Sequence, residues 1–305
     1  MGNELRGLGA HSAEWFGDTR EHWWNDDFLA MQAARWPTDE LKRALDVGCG
    51  VGHWGRALSK VLPRDLRLVG IDRESAWISE ATERAKRAGL DERFSYRLSA
   101  AESTPFETGS FDLVTCQTLL MHLPSPARGL AEMVRVLRPG GLLVVAEPTN
   151  LAPTLIDSVA VGNPPEVTAS LLHLQLACVN GKARLGEGND AIGESLPMLL
   201  VDAGLCDIEI RNNDKAAPMI PPYRSASERA LIEEAEDAAH RKRFIWDEPT
   251  ARRYFAAAGG TTAEFDRLWR IALDQNDRVV AAFHAQTFAS AGGSLFYLGW
   301  GRKPA

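Results

Sequence analysis

The sequence predicts an α/β fold in which helices cover both faces of a mostly parallel sheet, a doubly wound arrangement. Three observations support this prediction. Strand-like and helix-like segments alternate from about residue 41 to residue 148, glycines cluster where the first strand meets the first helix, and an aromatic strand pattern ends the chain at 294–301. Such alternation is typical of parallel strands joined by crossover helices, which place the carboxyl ends of the strands at one edge of the sheet.

Short apolar stretches predict the strands of this region, and 3.6-residue periodicity predicts the helices between them. The predicted strands are 43–47, 66–71, 94–98, 111–116 and 141–146. The predicted helices are 54–61, 75–88 and 126–137. Pro139, Gly140 and Gly141 end the last of these helices and turn the chain into the fifth strand.

The alternation is less regular after Pro148. We predict a helix at 166–178 between loops, the second of them a Gly, Asn and Asp-rich passage at 180–190, then a helix at 192–203 and a sixth strand at 206–210. Further helices are predicted near 225–242, 248–258 and 262–288. The resulting organisation is an N-terminal helical cap at 1–40, a core at 41–212 with a partial cover at 151–192, a helical lid insertion at 213–292 and a terminal strand at 293–305 that returns to the core.

The composition is that of a globular chain. Among 305 residues, 45% are hydrophobic and 25% are charged, which excludes an intrinsically disordered chain. No apolar stretch approaches the roughly 20 residues of a membrane-spanning helix, and the start of the chain lacks the basic and then apolar layout of a signal peptide. We therefore expect a cytoplasmic protein without a membrane partner.

Charge and cysteine content exclude further classes of partner. The net charge of −7 provides no broad basic surface for phosphates, so we expect no nucleic-acid partner. The four cysteines form no CxxC pair and have no histidine at ligand spacing, so we predict free buried thiols and no metal site. These cysteines are Cys49, Cys116, Cys178 and Cys206.

A glycine-rich segment follows the first predicted strand. It begins at Asp46 and reads Asp-Val-Gly-Cys-Gly-Val-Gly-His-Trp-Gly. Glycines at a strand-to-helix turn allow the backbone to approach a nucleotide-like ligand closely, so this segment predicts a cofactor site. Spacing alone leaves NAD open as the cofactor, because Gly50, Gly52 and Gly55 fit the dinucleotide pattern and Asp72 lies about 20 residues further on.

Five motifs in order make residues 43–148 resemble class I S-adenosylmethionine-dependent methyltransferases. An acidic residue precedes the glycine loop, as in that family, and the dinucleotide pattern does not explain this residue. The motifs are Asp46 with Gly48, Gly50 and Gly52; Asp72 at the end of the second strand; residues 99–106, which close on Pro-Phe; residues 110–114, leading to Gln117; and residues 136–141. The resemblance implies a Rossmann-like seven-stranded sheet with an antiparallel last strand, and S-adenosyl-L-methionine as the cofactor.

The same resemblance implies a set of cofactor-binding residues. Relatives commonly carry an aspartate at the position of Ala100, directed to the adenine amine, so here we expect the Ala101 backbone and the Glu102 side chain to contact the adenine instead. Asp72 corresponds to the residue that binds the ribose hydroxyls. The complete predicted set is Asp46, Gly48, Gly50, Gly52, Asp72, Arg73, Ala101, Glu102 and Gln117.

Two polar residues near strand ends are candidates for catalysis. His122 follows the fourth strand, where ligands of open α/β sheets bind, and is the first candidate for a general base. The alternative is a structural role, in which His122 hydrogen-bonds the neighbouring backbone. Glu147 ends the fifth strand and is a candidate for orienting the acceptor, with a structural role as the alternative.

Other residues have two interpretations. Trp15, Trp23 and Trp24 either contact the sulfonium of the cofactor or pack an N-terminal helix. His53 belongs to the glycine loop, and His173 is more consistent with a core position than with a pocket wall.

The sequence thus predicts methyl transfer to an oxygen or nitrogen of a small organic molecule. Transfer by in-line displacement needs alignment of the reactants, and a general base can assist it. Two alternatives remain: an NAD-dependent oxidoreductase that uses the Gly50, Gly52 and Gly55 loop, and a catalytically inactive cofactor-binding interaction module.

Overall fold

The computed structural model describes residue 20 and residues 23–305. In this part of the chain, seven strands form one sheet with the order β3-β2-β1-β4-β5-β7-β6. The strands are β1 Arg43–Val47, β2 Arg67–Asp72, β3 Phe94–Leu98, β4 Phe111–Gln117, β5 Leu137–Thr149, β6 Cys206–Asn212 and β7 Leu295–Arg302. The predicted fold class is confirmed.

The sheet reverses its winding direction next to β1. Strand β1 pairs in parallel with β2 on one side and with β4 on the other, and β5 continues the parallel arrangement beyond β4. Strand β7 runs antiparallel to β6, as predicted. A reversal of strand order opens a crevice at the carboxyl ends of the two central strands, where ligands of doubly wound folds bind.

Helices connect the strands and form most of the second half of the chain. They are α1 Asp26–Ala33, α2 His53–Leu58, α3 Ser75–Arg87, α4 Pro126–Val136, α5 Ala152–Ala160, α6 Pro165–Arg184, α7 Leu196–Asp202, α8 Ala226–His240, α9 Glu248–Ala257 and α10 Thr262–His284. Among the described residues, no helix is both long enough and apolar enough to cross a membrane.

The described residues form two compact units. The first unit contains the chain up to Pro148 together with Ile192–Asp214 and Phe296–Ala305, and the second contains Thr149–Ala191 and Lys215–Leu295. In the first unit, Leu45 of β1 and Val114 of β4 are completely buried. The indole of Trp54 on α2 donates a hydrogen bond of 2.8 Å to the Thr115 hydroxyl on β4, which fixes the helix after the glycine loop against the sheet.

The second unit has its own hydrophobic core. Helices α6, α9 and α10 supply it, with Leu174, Phe255 and Phe265 almost completely buried. Helix α6 runs to Arg184, beyond the predicted end at 178 and into the predicted loop. Gly181, which contributed to the loop prediction, has a packing role instead. A Cβ atom at this position would collide with the Tyr254 carbonyl of α9, so glycine allows α6 and α9 to pack closely.

Four further expectations are corrected. Helix α5 occupies Ala152–Ala160, where loops were predicted, and β5 begins at Leu137 because its first residue pairs with Phe111 of β4. The side chain of His173 is 54% exposed and therefore does not belong to the core. Cys206 is exposed because it starts β6 at the edge of the sheet, whereas the other three cysteines are free and buried as predicted.

An aromatic cluster packs Trp24 and Phe28 against the rest of the first unit. The ring of Trp24 lies 5.9 Å from Phe28, 5.3 Å from Trp54 and 5.6 Å from Phe296, centroid to centroid. Trp24 is 8% exposed, so its environment corresponds to the packing interpretation. Trp15 lies outside the described residues.

We predict that Trp24→Ala destabilises the protein by about 3–5 kcal/mol, because it removes a buried aromatic ring from this cluster. Met31→Ala is the control, since Met31 lies on α1 with 56% of its surface exposed. The shift in the urea midpoint, followed by tryptophan fluorescence, measures both changes. Equal shifts for the two variants would show that the segment is not part of the core.

Candidate active site

The glycine loop lies between β1 and α2 and has a backbone that favours glycine. Gly48, Gly50 and Gly52 have φ angles of 67°, 51° and 75°. A Cβ atom at Gly52 would lie 2.6 Å from the Tyr96 hydroxyl, whereas one at Gly50 would have no heavy atom within 4 Å. The loop therefore packs against Tyr96 at Gly52 and is open at Gly50, as expected of a backbone that a ligand approaches.

Asp72 holds this loop at the carboxyl end of β2. One carboxylate oxygen accepts a 2.9 Å hydrogen bond from the Gly50 amide, and the other accepts a 3.1 Å bond from the Glu74 amide. Asp72 is only 4% exposed. Since a carboxylate has about four acceptor positions, it can still receive hydroxyl donors from a ligand.

Asp46 is buried beside the loop without a complementary partner. It is 1% exposed, and neither carboxyl oxygen has a hydrogen bond of ordinary geometry to a described residue. Burial raises the pKa of Asp46 to about 8; the Gly55 amide partly opposes this effect, and the nearby Asp72 adds to it. Such a group is stabilised by a ligand that brings a positive charge or hydrogen-bond donors.

Gln117 is the second side chain at this edge whose polar atoms lack partners. It is the last residue of β4 and is 4% exposed, yet neither its amide nitrogen nor its amide oxygen is hydrogen-bonded within the described part of the chain. Buried side-chain amides are normally satisfied, so a group of this kind indicates a missing ligand.

Glu147, at the end of β5, binds backbone rather than facing an open site. It is fully buried, and one of its oxygens accepts hydrogen bonds from the amides of Leu119 at 2.8 Å and Leu120 at 2.7 Å. Burial raises the pKa of Glu147 to about 7, and the amide hydrogen bonds oppose the shift. This geometry favours the structural interpretation. The half-buried His122 ends the 3₁₀ turn Leu120–His122 that these amides belong to.

Arg20 and His53 form a buried pair that the sequence did not indicate. Nη1 of Arg20 lies 3.5 Å from Nε2 of His53. The other two guanidinium nitrogens and Nδ1 of His53 have no partner among the described residues. Arg20 is 6% exposed, and burial lowers its pKa to about 9 and also lowers the pKa of His53. The two residues are 33 positions apart, so no local pattern links them.

The remaining predicted residues lie further along the same edge. Arg73 follows β2, is largely exposed and contacts Glu74 at 3.5 Å. Ala101 and Glu102 are half-buried in the turn after β3. The ring of Trp23 lies 6.3 Å from the His53 ring and 5.0 Å from the Arg20 guanidinium, which places this tryptophan next to the glycine loop.

Comparison with known proteins identifies the family. Residues 45–145, which contain the glycine loop, Asp72, Gln117 and His122, match the model of the methyltransferase domain. Residues 45–145 are therefore a methyltransferase domain, of the kind found in S-adenosylmethionine-dependent methyltransferases.

Relatives and solved structures agree with this assignment. Methyltransferase GfsG of Streptomyces halstedii is 27% identical over 205 residues, which are 67% of this chain and 67% of that protein. An uncharacterized 37.1 kDa protein in transposon Tn4556 of Streptomyces fradiae is 31% identical over 222 residues. The alignment covers 70% of this chain but only 59% of that protein. The YcgJ protein of Bacillus subtilis has the same fold, with a TM-score of 0.51, 15% identity and coverage of 92% of this chain and 100% of that one.

The residues at this edge of the sheet fit S-adenosylmethionine, the cofactor of such methyltransferase domains. The cofactor carries a positive sulfonium, an ammonium and a carboxylate. Asp46, Asp72 and Glu147 place buried carboxyl groups at the ends of three strands, and Arg20 provides a buried cation. The dinucleotide alternative fits less well, because a pyrophosphate brings neither a positive charge nor a hydrogen-bond donor to the buried Asp46 carboxyl group and would disfavour its ionisation further.

We predict that binding of S-adenosylhomocysteine releases protons through Asp46. At pH 7 the free methyltransferase holds most of its Asp46 as the acid, since its pKa is about 8. A nearby ammonium favours the carboxylate, so up to about one proton leaves on binding at pH 7, and the release disappears well above the free pKa. Calorimetry in two buffers of different ionisation enthalpy measures this number. Equal release by Asp46→Asn and the wild type would contradict the assignment.

Proposed function

We propose that this methyltransferase transfers the methyl group of S-adenosylmethionine to an oxygen or nitrogen of a small organic molecule. The observation that carries the cofactor side is the buried Asp46 carboxyl group, which lies directly before an open glycine loop. Within the described residues it has no hydrogen bond of ordinary geometry, and the Gly55 amide only partly offsets the effect of its burial. A cationic ligand at this position removes the cost of an unpaired buried acid.

We assign the cofactor-binding roles by charge. Asp46 and the Gln117 amide oxygen receive the ammonium, and Arg20 with His53 receives the carboxylate. The Asp72 carboxylate, already fixed by two amides, accepts the ribose hydroxyls. Gly48, Gly50 and Gly52 allow the backbone to approach the cofactor, and Arg73, Ala101 and Glu102 contact its adenosine end.

On the acceptor side, we propose that His122 takes the proton from the oxygen or nitrogen that is methylated. The bound cofactor supplies an electrophilic methyl group. The protein aligns the acceptor with it, an effect worth roughly 7–11 kcal/mol, and a general base adds about 10²–10⁴-fold. His122 belongs to a turn at the carboxyl end of β4, the edge of the sheet that carries the glycine loop.

Composition and relatives support a small acceptor. The net charge of −7 is unsuited to a polyanionic substrate. Matching relatives include an enzyme named ubiquinone biosynthesis O-methyltransferase and one named 27-O-demethylrifamycin SV methyltransferase, and also a ubiquinone/menaquinone biosynthesis C-methyltransferase. We favour oxygen or nitrogen because a base such as His122 assists atoms that carry an acidic proton. We further propose that the insertions at 151–192 and 213–292 select the acceptor.

The function is tested by release of S-adenosylhomocysteine from S-adenosylmethionine in the presence of phenols, macrolide alcohols and amines. With an active acceptor, we expect His122→Ala to lower turnover at least about 100-fold while retaining cofactor affinity. His284→Ala is the control, because its exposed side chain pairs with Glu236 in the second unit. Tight NAD binding without S-adenosylhomocysteine binding would support the oxidoreductase alternative. Cofactor binding without turnover of any acceptor would support the inactive module.

A second experiment tests the role of Arg20. We predict that Arg20→Met raises the Kd of S-adenosylhomocysteine about 10- to 100-fold, because a charged hydrogen bond is lost. It leaves the Kd of 5′-methylthioadenosine within about twofold, since that ligand lacks the amino-acid carboxylate. Arg35→Met is the matched control, because Arg35 pairs with Glu209 on the surface. Equal losses for both ligands would mean that Arg20 supports the loop rather than the carboxylate.

A further inference from the structure

The Glu147 carboxylate has an unusual environment for a buried acid. It is 0% exposed, and among the described residues it has no arginine, lysine or histidine partner. Its stabilisation comes from backbone amides alone. Its oxygens accept from these amides whether or not the carboxyl group is ionised, and a buried polar group of this kind depends on such hydrogen bonds.

The amides around Glu147 are consecutive. Oε1 accepts from Leu119 at 2.8 Å and from Leu120 at 2.7 Å, and Oε2 accepts from Met121 at 3.4 Å. Three successive amides pointing at one carboxylate form a concave anion-binding turn, of the kind that binds phosphates at the start of helices. In this protein the Glu147 side chain takes the place of the bound anion, and the turn amides donate to it.

The turn begins with a backbone conformation that needs support. Thr118 has a φ angle of 51°, which is unfavourable for a β-branched residue. The Thr118 amide is held by the Ala146 carbonyl at 2.9 Å, next to Glu147 in β5. Strand β5 therefore fixes both the entry to the turn and its centre.

The turn also contacts the glycine loop. A Cβ atom at Gly48 would lie 2.6 Å from Cδ1 of Leu119, so the Leu119 side chain lies directly against the first glycine of the loop. At its other end the turn carries His122, whose amide donates a 2.9 Å hydrogen bond to the Leu119 carbonyl. One turn thus touches the cofactor loop and positions the proposed base.

We propose that Glu147 is a positioning residue that acts through the 118–122 turn: its carboxylate fixes Leu119 against Gly48 and thereby sets the glycine loop for the cofactor. This inference rests on the proposed cofactor site. It assigns Glu147 no contact with the acceptor.

The test compares Glu147→Gln with Asp112→Asn. Asp112 is the control, because its carboxylate also accepts two backbone amides, those of Lys42 at 2.9 Å and Arg43 at 2.8 Å, but lies where β4 begins, away from the turn. It differs from Glu147 in having an ion pair, with Arg138 at 2.7 Å. For Glu147→Gln we expect hydrogen exchange at the amides of 119–121 to become at least about tenfold faster. We also expect the Kd of S-adenosylhomocysteine, measured by calorimetry, to rise about fivefold, as for one lost hydrogen bond. Asp112→Asn should change neither quantity by more than about twofold.

The outcomes separate this inference from a structural role and from the proposed function. Unchanged exchange at 119–121, or an unchanged Kd in a folded Glu147→Gln protein, would overturn the inference, because a residue that only stabilises the fold does not alter affinity far below the unfolding transition. Failure of the wild type to bind S-adenosylhomocysteine would instead overturn the proposed function. If Glu147→Gln does not fold, Leu119→Ala replaces it: protected turn amides with a raised Kd support the inference, and an unchanged Kd overturns it.

Discussion

The burial of carboxyl groups at the carboxyl ends of adjacent strands is the constraint on which the site depends. Asp46, Asp72 and Glu147 are each at most 4% exposed. Asp72 and Glu147 are stabilised by backbone amides that fold around them, and these contacts shape the glycine loop and the turn after β4. Asp46 has no equivalent partner within the described chain. Buried carboxyl groups therefore organise the backbone at Asp72 and Glu147, whereas at Asp46 the buried group is available to a ligand.

The positive charge near the glycine loop is supplied by Arg20, which is not part of the sheet. Arg20 precedes β1, yet its guanidinium lies against His53 in the helix that follows the glycine loop. The aromatic cluster around Trp24 holds this segment against α2 and β7, which explains how a residue before the sheet reaches the loop. A buried acid and a buried base at the two sides of one loop suit a ligand end that carries both an ammonium and a carboxylate. Neither residue alone would distinguish such a zwitterion from a simple cation or anion.

Sequence patterns predicted the parts of this protein that depend on local order. Strands β1 and β3 have the predicted boundaries, since alternating apolar residues and nearby turns define them. The glycine loop was recognised because a positive φ angle at Gly48, Gly50 and Gly52 requires that residue type. The extension of α6 through Gly181 was not predicted, because the reason for it is a contact with Tyr254, 73 positions away. Arg20 was missed for the same reason. For Glu147 the sequence left an orienting role and a structural role open, and only the structure shows which amides it binds.

The separation of the chain into two units has a consequence for how acceptor specificity is encoded. All residues assigned here to the cofactor belong to the first unit, whereas Thr149–Ala191 and Lys215–Leu295 form the second with a core of their own. The first of these insertions leaves β5 two residues after Glu147, so the chain departs for the second unit from the strand that fixes the 118–122 turn. Because the turn is held by β5 and the glycine loop by β2, the cofactor geometry does not require any particular sequence in the insertions. Short motifs at the strand ends and in the glycine loop indicate the cofactor, whereas the insertions carry no comparable motif from which the acceptor can be predicted.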